Sequence, residues 1–208
     1  MTHCIARFYS GTAAADITSI VALARSELIP AIAKLPGLRR YSVLTLNDGR
    51  IGSFSVWGSR QAADHGGEVA GAWVRSKPDL AKYPLDLTLR GEVGLAVTGT
   101  GSTGSEARPG HAVARLYRTD KSLAEVDAAI EQEGLAAIRA IPGLLRYTTA
   151  KLDDGRIASF NAFESESAAR ASVEKARELR QRSGSRLSHV LPDDPEVLEG
   201  SLLLTHSK

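Results

Sequence analysis

The sequence predicts an α+β protein made of two tandem units that share one order of helices and strands. The main observation is an internal repeat: LPGLRRY at residues 35–41 returns as IPGLLRY at 141–147, and NDGRIGSF at 47–54 returns as DDGRIASF at 153–160. The spacing between the two segments is the same in both copies. Each copy has about a hundred residues, enough for a domain with its own core.

Each copy begins with a predicted strand and a predicted helix. HCIARFY at 3–9 and HAVARLY at 111–117 alternate in the way that half-buried strands do. Between 16 and 35, apolar residues recur at steps of three and four, which predicts a helix.

The ends of these first helices carry distinct signals. Asp16 is expected to cap the first helix, and Pro30 is expected to bend it, because the proline ring removes a hydrogen bond and crowds the preceding turn. In the second copy, Ser122 and Glu125 have the spacing of a capping box.

The second half of each copy predicts a hairpin, a helix and a closing strand. Pro-Gly ends the first helix, and Asp-Gly joins two alternating runs, which is a strong hairpin signal. Ser59 and Ser165 are expected to cap the second helices. The predicted strands lie at 40–46 and 51–57, at 146–152 and 157–163, and near 91–97 and 200–205.

A Gly/Ser-rich segment separates the two copies. We predict a first unit at 1–97, a flexible linker at 98–110 and a second unit at 111–208. Such a linker allows the two units to pair within one chain, as a pseudo-dimer. It equally allows the units to be exchanged between chains, and a further homodimer stays open.

Each unit therefore reads strand, helix, strand, strand, helix, strand, which is the ferredoxin-like βαββαβ order. An antiparallel sheet with helices on one side leaves its other face uncovered. We therefore expect the two antiparallel sheets to pack face to face within one chain.

Both halves resemble the dimeric α+β barrel superfamily, especially its antibiotic-biosynthesis-monooxygenase-like (ABM-like) group. The more specific part of the resemblance is FSVWGSRQAADH at 54–65, which looks like the group's strand ending in Trp followed by a helix with a His. The spacing in this chain is one residue shorter, and the second copy replaces both Trp and His. The resemblance implies a pocket between sheet and helices, and we expect one competent pocket, in the first half.

Arg7 and Tyr9 are the first candidates for that pocket. They share one face of the first strand, and a buried arginine needs an acidic or carbonyl partner. Arg7 either makes a structural ion pair, lies at an exposed edge or anchors an anionic oxygen of a ligand, and Tyr9 adds a phenol donor. Tyr41 follows the same logic at the start of the second strand, and barrel packing is its alternative role.

His65 is the candidate for proton transfer near neutral pH. Its alternative role is that of an exposed or structural histidine. Trp57 and Trp73 are expected either to wall the cavity or to anchor the core, and Ser55 lies on the polar face of the third strand. The resemblance implies cofactor-independent oxygenation of a small aromatic or polyketide-like substrate, with His65 as base and Arg7 and Tyr9 stabilising negative charge.

Composition excludes several classes of function. The net charge of +2 gives no general attraction to nucleic acid or anionic membrane, and no apolar run approaches bilayer length. We find no metal-ligand spacing and no nucleotide-binding motif, so no metal or cofactor is expected. The single cysteine, Cys4, is expected to be a buried apolar residue, and a cytoplasmic location is expected.

The sequence also bears on three functions other than oxygenation. A non-catalytic ligand-binding or stress-response barrel is the main alternative, and a haem-binding or haem-degrading protein is a lesser one. RNA recognition is disfavoured, because Ser53 and Ser55 leave too few aromatic platforms beside Trp57.

Overall fold

The computed structural model describes residues 1–99, 110–182 and 184–208. Most of the predicted linker lies outside these described residues. Its first and last residues, Thr98 and Gly110, belong to strands.

Eight strands and eight α-helices follow one another in the described chain. The strands are β1 His3–Tyr9, β2 Leu38–Thr45, β3 Ile51–Trp57, β4 Leu85–Thr98, β5 Gly110–Tyr117, β6 Leu144–Leu152, β7 Ile157–Phe163 and β8 Glu196–Ser207. The α-helices are α1 Ala14–Leu23, α2 Ile29–Ala33, α3 Arg60–Arg75, α4 Pro78–Ala81, α5 Leu123–Ala129, α6 Leu135–Arg139, α7 Glu166–Gln181 and α8 Arg186–Val190.

The strands are hydrogen-bonded in the order β1-β3-β2-β8-β5-β7-β6-β4, which closes on itself as an antiparallel barrel. This confirms the predicted fold class, in which two βαββ-like halves form an α+β barrel in a single chain. Both closing strands, β4 and β8, are longer than the sequence predicted.

The described chain forms two compact units. The first unit contains residues 1–92 and 201–208, and the second contains 93–99 and 110–200. The divisions fall inside β4 and β8, so each of these strands begins in one unit and ends in the other. Each unit has its own core between sheet and helices.

The repeated turns adopt the conformations that their sequences predict. Gly37 and Gly143, just after the helices, have φ of 82° and 74°. Gly49 and Gly155, in the two hairpins, have φ of 88° and 91°. Only glycine adopts this region without strain, which explains why both copies retain it at these points.

Three of the four predicted helix caps are confirmed. The backbone N–H of Ala62 donates to Ser59 Oγ at 3.1 Å, Ser165 caps α7 in the same way, and Ser122 forms a full capping box with Glu125. The cap predicted at Asp16 is wrong. The helix begins at Ala14, and the Asp16 carboxylate instead accepts a hydrogen bond from the hydroxyl of Tyr83.

The first helix of each unit changes to π geometry near its middle. The π-helical segments are Ala24–Leu28 and Ile130–Gly134. Pro30 follows the first one in the same continuous helix, as the second residue of α2. The second copy has a π segment without a proline, so a proline is not required for this geometry.

Candidate functional site

The alternation of β1 directs Arg7 and Tyr9 toward the helices of the first unit. Arg7 is in register with Ser53 of β3, and Tyr41 of β2 is in register with Ser55 of β3. These side chains form the floor of a cavity of about 60 Å³ whose remaining walls come from α1, the π segment, α3 and α4. The cavity is lined mainly by apolar side chains.

A buried glycine, Gly67, lets the Arg7 side chain approach α3. A β-carbon at Gly67 would lie 2.7 Å from Arg7 Nη2, and one at Gly71 would lie 3.6 Å from Arg7 Nη1. Arg7 Nη1 donates a hydrogen bond to the carbonyl of Gly67. The buried Nε of Arg7 has no hydrogen-bond partner among the described residues.

Arg7 forms no ion pair with a carboxylate in the described chain. Burial lowers its pKa, and the positive charges of Arg90 and Arg75 add to the effect. Arginine nevertheless stays charged at any physiological pH. Arg7 is therefore a half-buried cation whose charge is not balanced by a neighbouring residue.

The two tyrosines of the cavity floor are protonated at neutral pH. Burial raises the pKa of Tyr9, and it raises that of Tyr41 to about 12, although a hydrogen bond with Ser53 acts in the opposite direction. A protonated phenol can donate a hydrogen bond. With Arg7, this part of the cavity presents donors to an oxygen atom of a ligand.

Two further aromatic side chains wall the cavity. Trp73 Nε1 donates to the carboxylate of Glu27 at 3.1 Å, and the hydroxyl of Tyr83 donates to Asp16. These bonds to half-buried or exposed carboxylates fix the orientation of both rings. Sequence reasoning missed Tyr83. It follows α4, a helix of four residues that is too short to show a periodic pattern of apolar residues.

Four of the seven predicted site residues line this cavity and three do not. Arg7, Tyr9, Tyr41 and Trp73 line it. The expectation that Ser55, Trp57 and His65 would do so is not met.

Trp57 and Ser55 are buried in the core and form a hydrogen bond with each other. Trp57 is 1% exposed, and its Nε1 donates to Ser55 Oγ at 2.9 Å, while Ser55 donates to the carbonyl of Ile5 at 3.3 Å. The indole ring fills the space beside Gly66, where a β-carbon would lie 2.1 Å from it. Both residues therefore support the sheet from beside the cavity.

His65 is exposed on α3 and does not lie in an aromatic pocket. The buried positions of α3 are Ala63, Gly66, Gly67, Ala70 and Gly71. One turn of helix holds 3.6 residues, so His65 falls outside this stripe. This placement gives no support to His65 as a base acting on a molecule in the cavity.

The second unit also contains a cavity of about 60 Å³ between its sheet and helices. Arg115, Tyr117 and Tyr147 line it, at the positions that correspond to Arg7, Tyr9 and Tyr41. A cavity therefore exists in each half, and the expectation that the first one alone is competent stays a prediction.

The described residues contain neither a membrane-spanning helix nor a metal-binding cluster. No helix there is long and apolar enough to cross a membrane. No group of three or more His, Cys, Asp or Glu side chains there could hold a metal ion.

Comparison with solved structures identifies the fold. An anthrone oxidase-like protein matches 99% of this chain and 93% of its own, at 14% identity and a TM-score of 0.63. A "Putative monooxygenase" from Fusobacterium nucleatum subsp. nucleatum matches 100% and 94%, at 10% identity and a TM-score of 0.67. The chain has the dimeric α+β barrel fold.

The same fold also serves other activities. A variant of chlorite dismutase from Candidatus Nitrospira defluvii matches 97% of this dimeric α+β barrel and 91% of its own chain, at 12% identity and a TM-score of 0.63. No family model and no curated protein matches the sequence. At such low identity the likeness establishes the fold, and function has to be argued from the site.

Proposed function

We propose that the cavity of the first unit binds a small organic anion with an apolar, aromatic body. The observation that carries this proposal is Arg7, a cation on the cavity wall without a carboxylate partner in the described chain. Burying a charge that no opposite charge balances is costly, so an anionic ligand bound beside Arg7 would stabilise the folded protein. Tyr9 adds a phenol donor, and Trp73 adds an aromatic wall.

The cavity lining has no group that would remove a proton at neutral pH, so the ligand should already be an anion when it binds. Its polar groups are Arg7, Ser53 and the phenols of Tyr9, Tyr41 and Tyr83, without any imidazole or carboxylate. The raised pKa values of Tyr9 and Tyr41 make both poor bases at neutral pH. A carboxylic acid or an acidic enol, which loses its proton in water, suits this set of donors.

Benzoate and benzamide provide a direct test, because they have nearly the same shape and differ in charge. Both tryptophans of the chain, Trp57 and Trp73, belong to the first unit. Intrinsic tryptophan fluorescence therefore reports on this unit. We expect benzoate to change the fluorescence at concentrations at least about tenfold lower than benzamide, because a hydrogen bond to a charged group contributes about 1.5–3 kcal/mol.

Arg7→Met should remove the preference for benzoate, and Arg25→Met is the matched control. Arg25 is an exposed arginine on the π segment and does not line the cavity. Equal affinity of the two probes in the unmodified protein, or a preference that survives Arg7→Met, would contradict the proposal.

Cofactor-independent oxygenation is a second candidate, favoured by the donors on the cavity floor. Arg7 and the two phenols that stabilise a bound anion would also stabilise an enolate, which is electron-rich enough to react with oxygen. The substrate would have to be acidic enough to ionise without a protein base. Oxygen uptake with anthrone should then fall in Arg7→Met and stay unchanged in His65→Ala. No uptake above the rate without protein would leave binding as the function.

Haem does not fit this cavity. Among the side-chain types that bind haem iron, only tyrosine lines it. The raised pKa values of Tyr9 and Tyr41 disfavour the phenolate that such a bond requires. No step of the proposed function therefore involves haem.

A further inference from the structure

We propose that the cavity of the second unit is a separate binding site for a small aromatic acid that also carries a hydroxyl group. Arg115 would bind the acid, and Asn161 would accept a hydrogen bond from the hydroxyl. This proposal stands on residues of the second unit and does not depend on what the first cavity binds.

Asn161 has a buried side-chain amide, and one of its two polar atoms has no hydrogen-bond partner in the described chain. The residue is 5% exposed, and its Nδ2 donates to Ser159 Oγ at 3.2 Å. Its Oδ1 has no hydrogen-bond partner among the described residues, although the residue lines the cavity. A buried polar atom without a partner costs about 1–3 kcal/mol. A ligand donor at this point would remove that cost.

The corresponding position of the first unit has no such vacant acceptor. There Ser55 Oγ accepts the indole N–H of Trp57 at 2.9 Å. In the second unit Phe163 occupies the position of Trp57 and has no N–H to donate. The change from Trp to Phe thus leaves the acceptor of Asn161 available, which distinguishes the two cavities chemically.

Arg115 supplies the cation of the second cavity. It is 4% exposed, and its Nη2 donates to Ser172 Oγ at 2.8 Å. No carboxylate of the described chain forms an ion pair with it, although the charge of Glu199 acts on it from further away. Ser172 in turn donates to the carbonyl of Ala169.

The other two cations of this cavity are already paired. Lys175 forms an ion pair with Glu178, and Arg180 forms one with Asp194. Arg115 is thus the cation of the cavity lining whose charge a ligand can balance.

The strand register places the two binding residues on the same face of the sheet. Asn161 of β7 is in register with Tyr147 of β6, and Arg115 of β5 is in register with Ser159 of β7. Arg115 and Asn161 are therefore diagonal neighbours on one face of the sheet, about 7–8 Å apart at their α-carbons. Arg115 and Asn161 line the same cavity, so one aromatic acid with a hydroxyl group could contact both, with the phenols of Tyr117 and Tyr147 as further donors.

The experiment is calorimetric titration of Arg7→Met protein with 4-hydroxybenzoate and with benzoate. This background removes the binding group proposed for the first cavity. We expect one 4-hydroxybenzoate per chain, bound at least about fivefold more tightly than benzoate, since one neutral hydrogen bond distinguishes the two. Adding Asn161→Ala should reduce the affinity for 4-hydroxybenzoate to that for benzoate. Adding Arg115→Met should weaken both by about tenfold or more.

Arg170→Met is the matched control, because Arg170 is an exposed arginine of α7 outside the cavity. Equal affinity for the two probes, no binding at all, or a hydroxyl preference that persists in Asn161→Ala would overturn the proposal. Circular dichroism checks that each variant is folded. If Arg115→Met does not fold, Asn161→Ala alone decides the result. Failure of the first-unit proposal would appear separately, in tryptophan fluorescence.

Discussion

The guanidinium of Arg7 lies where a side chain at position 67 would begin: its Nη2 is 2.7 Å from the place that a β-carbon on Gly67 would occupy. The same guanidinium donates to the carbonyl of Gly67. Glycine at this position of α3 is unfavourable for a helix by about 1 kcal/mol relative to alanine. The absence of a side chain at Gly67 leaves the space that the Arg7 guanidinium occupies on the cavity wall.

Gly67→Ala should therefore weaken ligand binding more than it changes stability. The methyl group would displace the guanidinium, while the gain in helix propensity of about 1 kcal/mol offsets part of the crowding. We expect affinity for benzoate in the first unit to fall by about tenfold or more, as for loss of a charge-assisted hydrogen bond. Tryptophan fluorescence titration measures it, and Gly71→Ala, whose nearest contact is the end of the exposed Arg75 side chain, is the control.

Gly66→Ala should instead destabilise the protein. A β-carbon there would lie 2.1 Å from the ring of Trp57, which is 1% exposed and cannot move into solvent. Overpacking of this kind costs about 1–3 kcal/mol. Urea unfolding should show a lower midpoint for Gly66→Ala than for Gly71→Ala. Equal midpoints would mean that the ring is not confined as described.

Arg115→Met should leave stability unchanged or raise it. Arg115 is a buried cation without an ion pair in the described chain, and its hydrogen-bond acceptor Ser172 keeps a second partner. Replacing buried charge with an apolar side chain of similar size is neutral or stabilising by about 1–4 kcal/mol. A loss of several kcal/mol in urea unfolding, with Arg170→Met unchanged, would show that Arg115 serves the fold instead of a ligand.

Stability should decline in alkaline solution partly because of Tyr41. Its pKa is raised from 10.0 to about 12, so the folded state holds this proton more tightly than the unfolded state. The contribution is complete below pH 10 and is lost as pH rises toward 12. At pH 11 the loss is about 1 kcal/mol for this group. Urea midpoints between pH 8 and 11 should fall less steeply in Tyr41→Phe, and an identical slope would contradict the assignment.

The architecture was predictable because its signals are local and occur twice. The Pro-Gly and Asp-Gly turns, the serine caps and the strand alternation each depend on a few adjacent residues. The same alternation placed Arg7 and Tyr9 correctly on the helix-facing side of β1.

The rest of the site depends on packing between distant segments. Whether Trp57 walls the cavity or fills the core depends on Gly66, a helix residue that leaves room for its ring. In the second unit, a smaller Phe163 faces the cavity together with Ser172, the residue that corresponds to Gly66. The loss of Trp therefore does not remove the cavity, because the exchanges on the strand and the helix keep it open.

The most direct test of the account is a double-mutant-type cycle. The charge of the ligand and the charge at position 7 are removed separately and together. Fluorescence titrations give four affinities, for benzoate and benzamide with the unmodified protein and with Arg7→Met. We predict a coupling free energy of about 1.5–3 kcal/mol between the carboxylate and Arg7. A coupling indistinguishable from zero would show that Arg7 does not bind the anion and would contradict the proposed function.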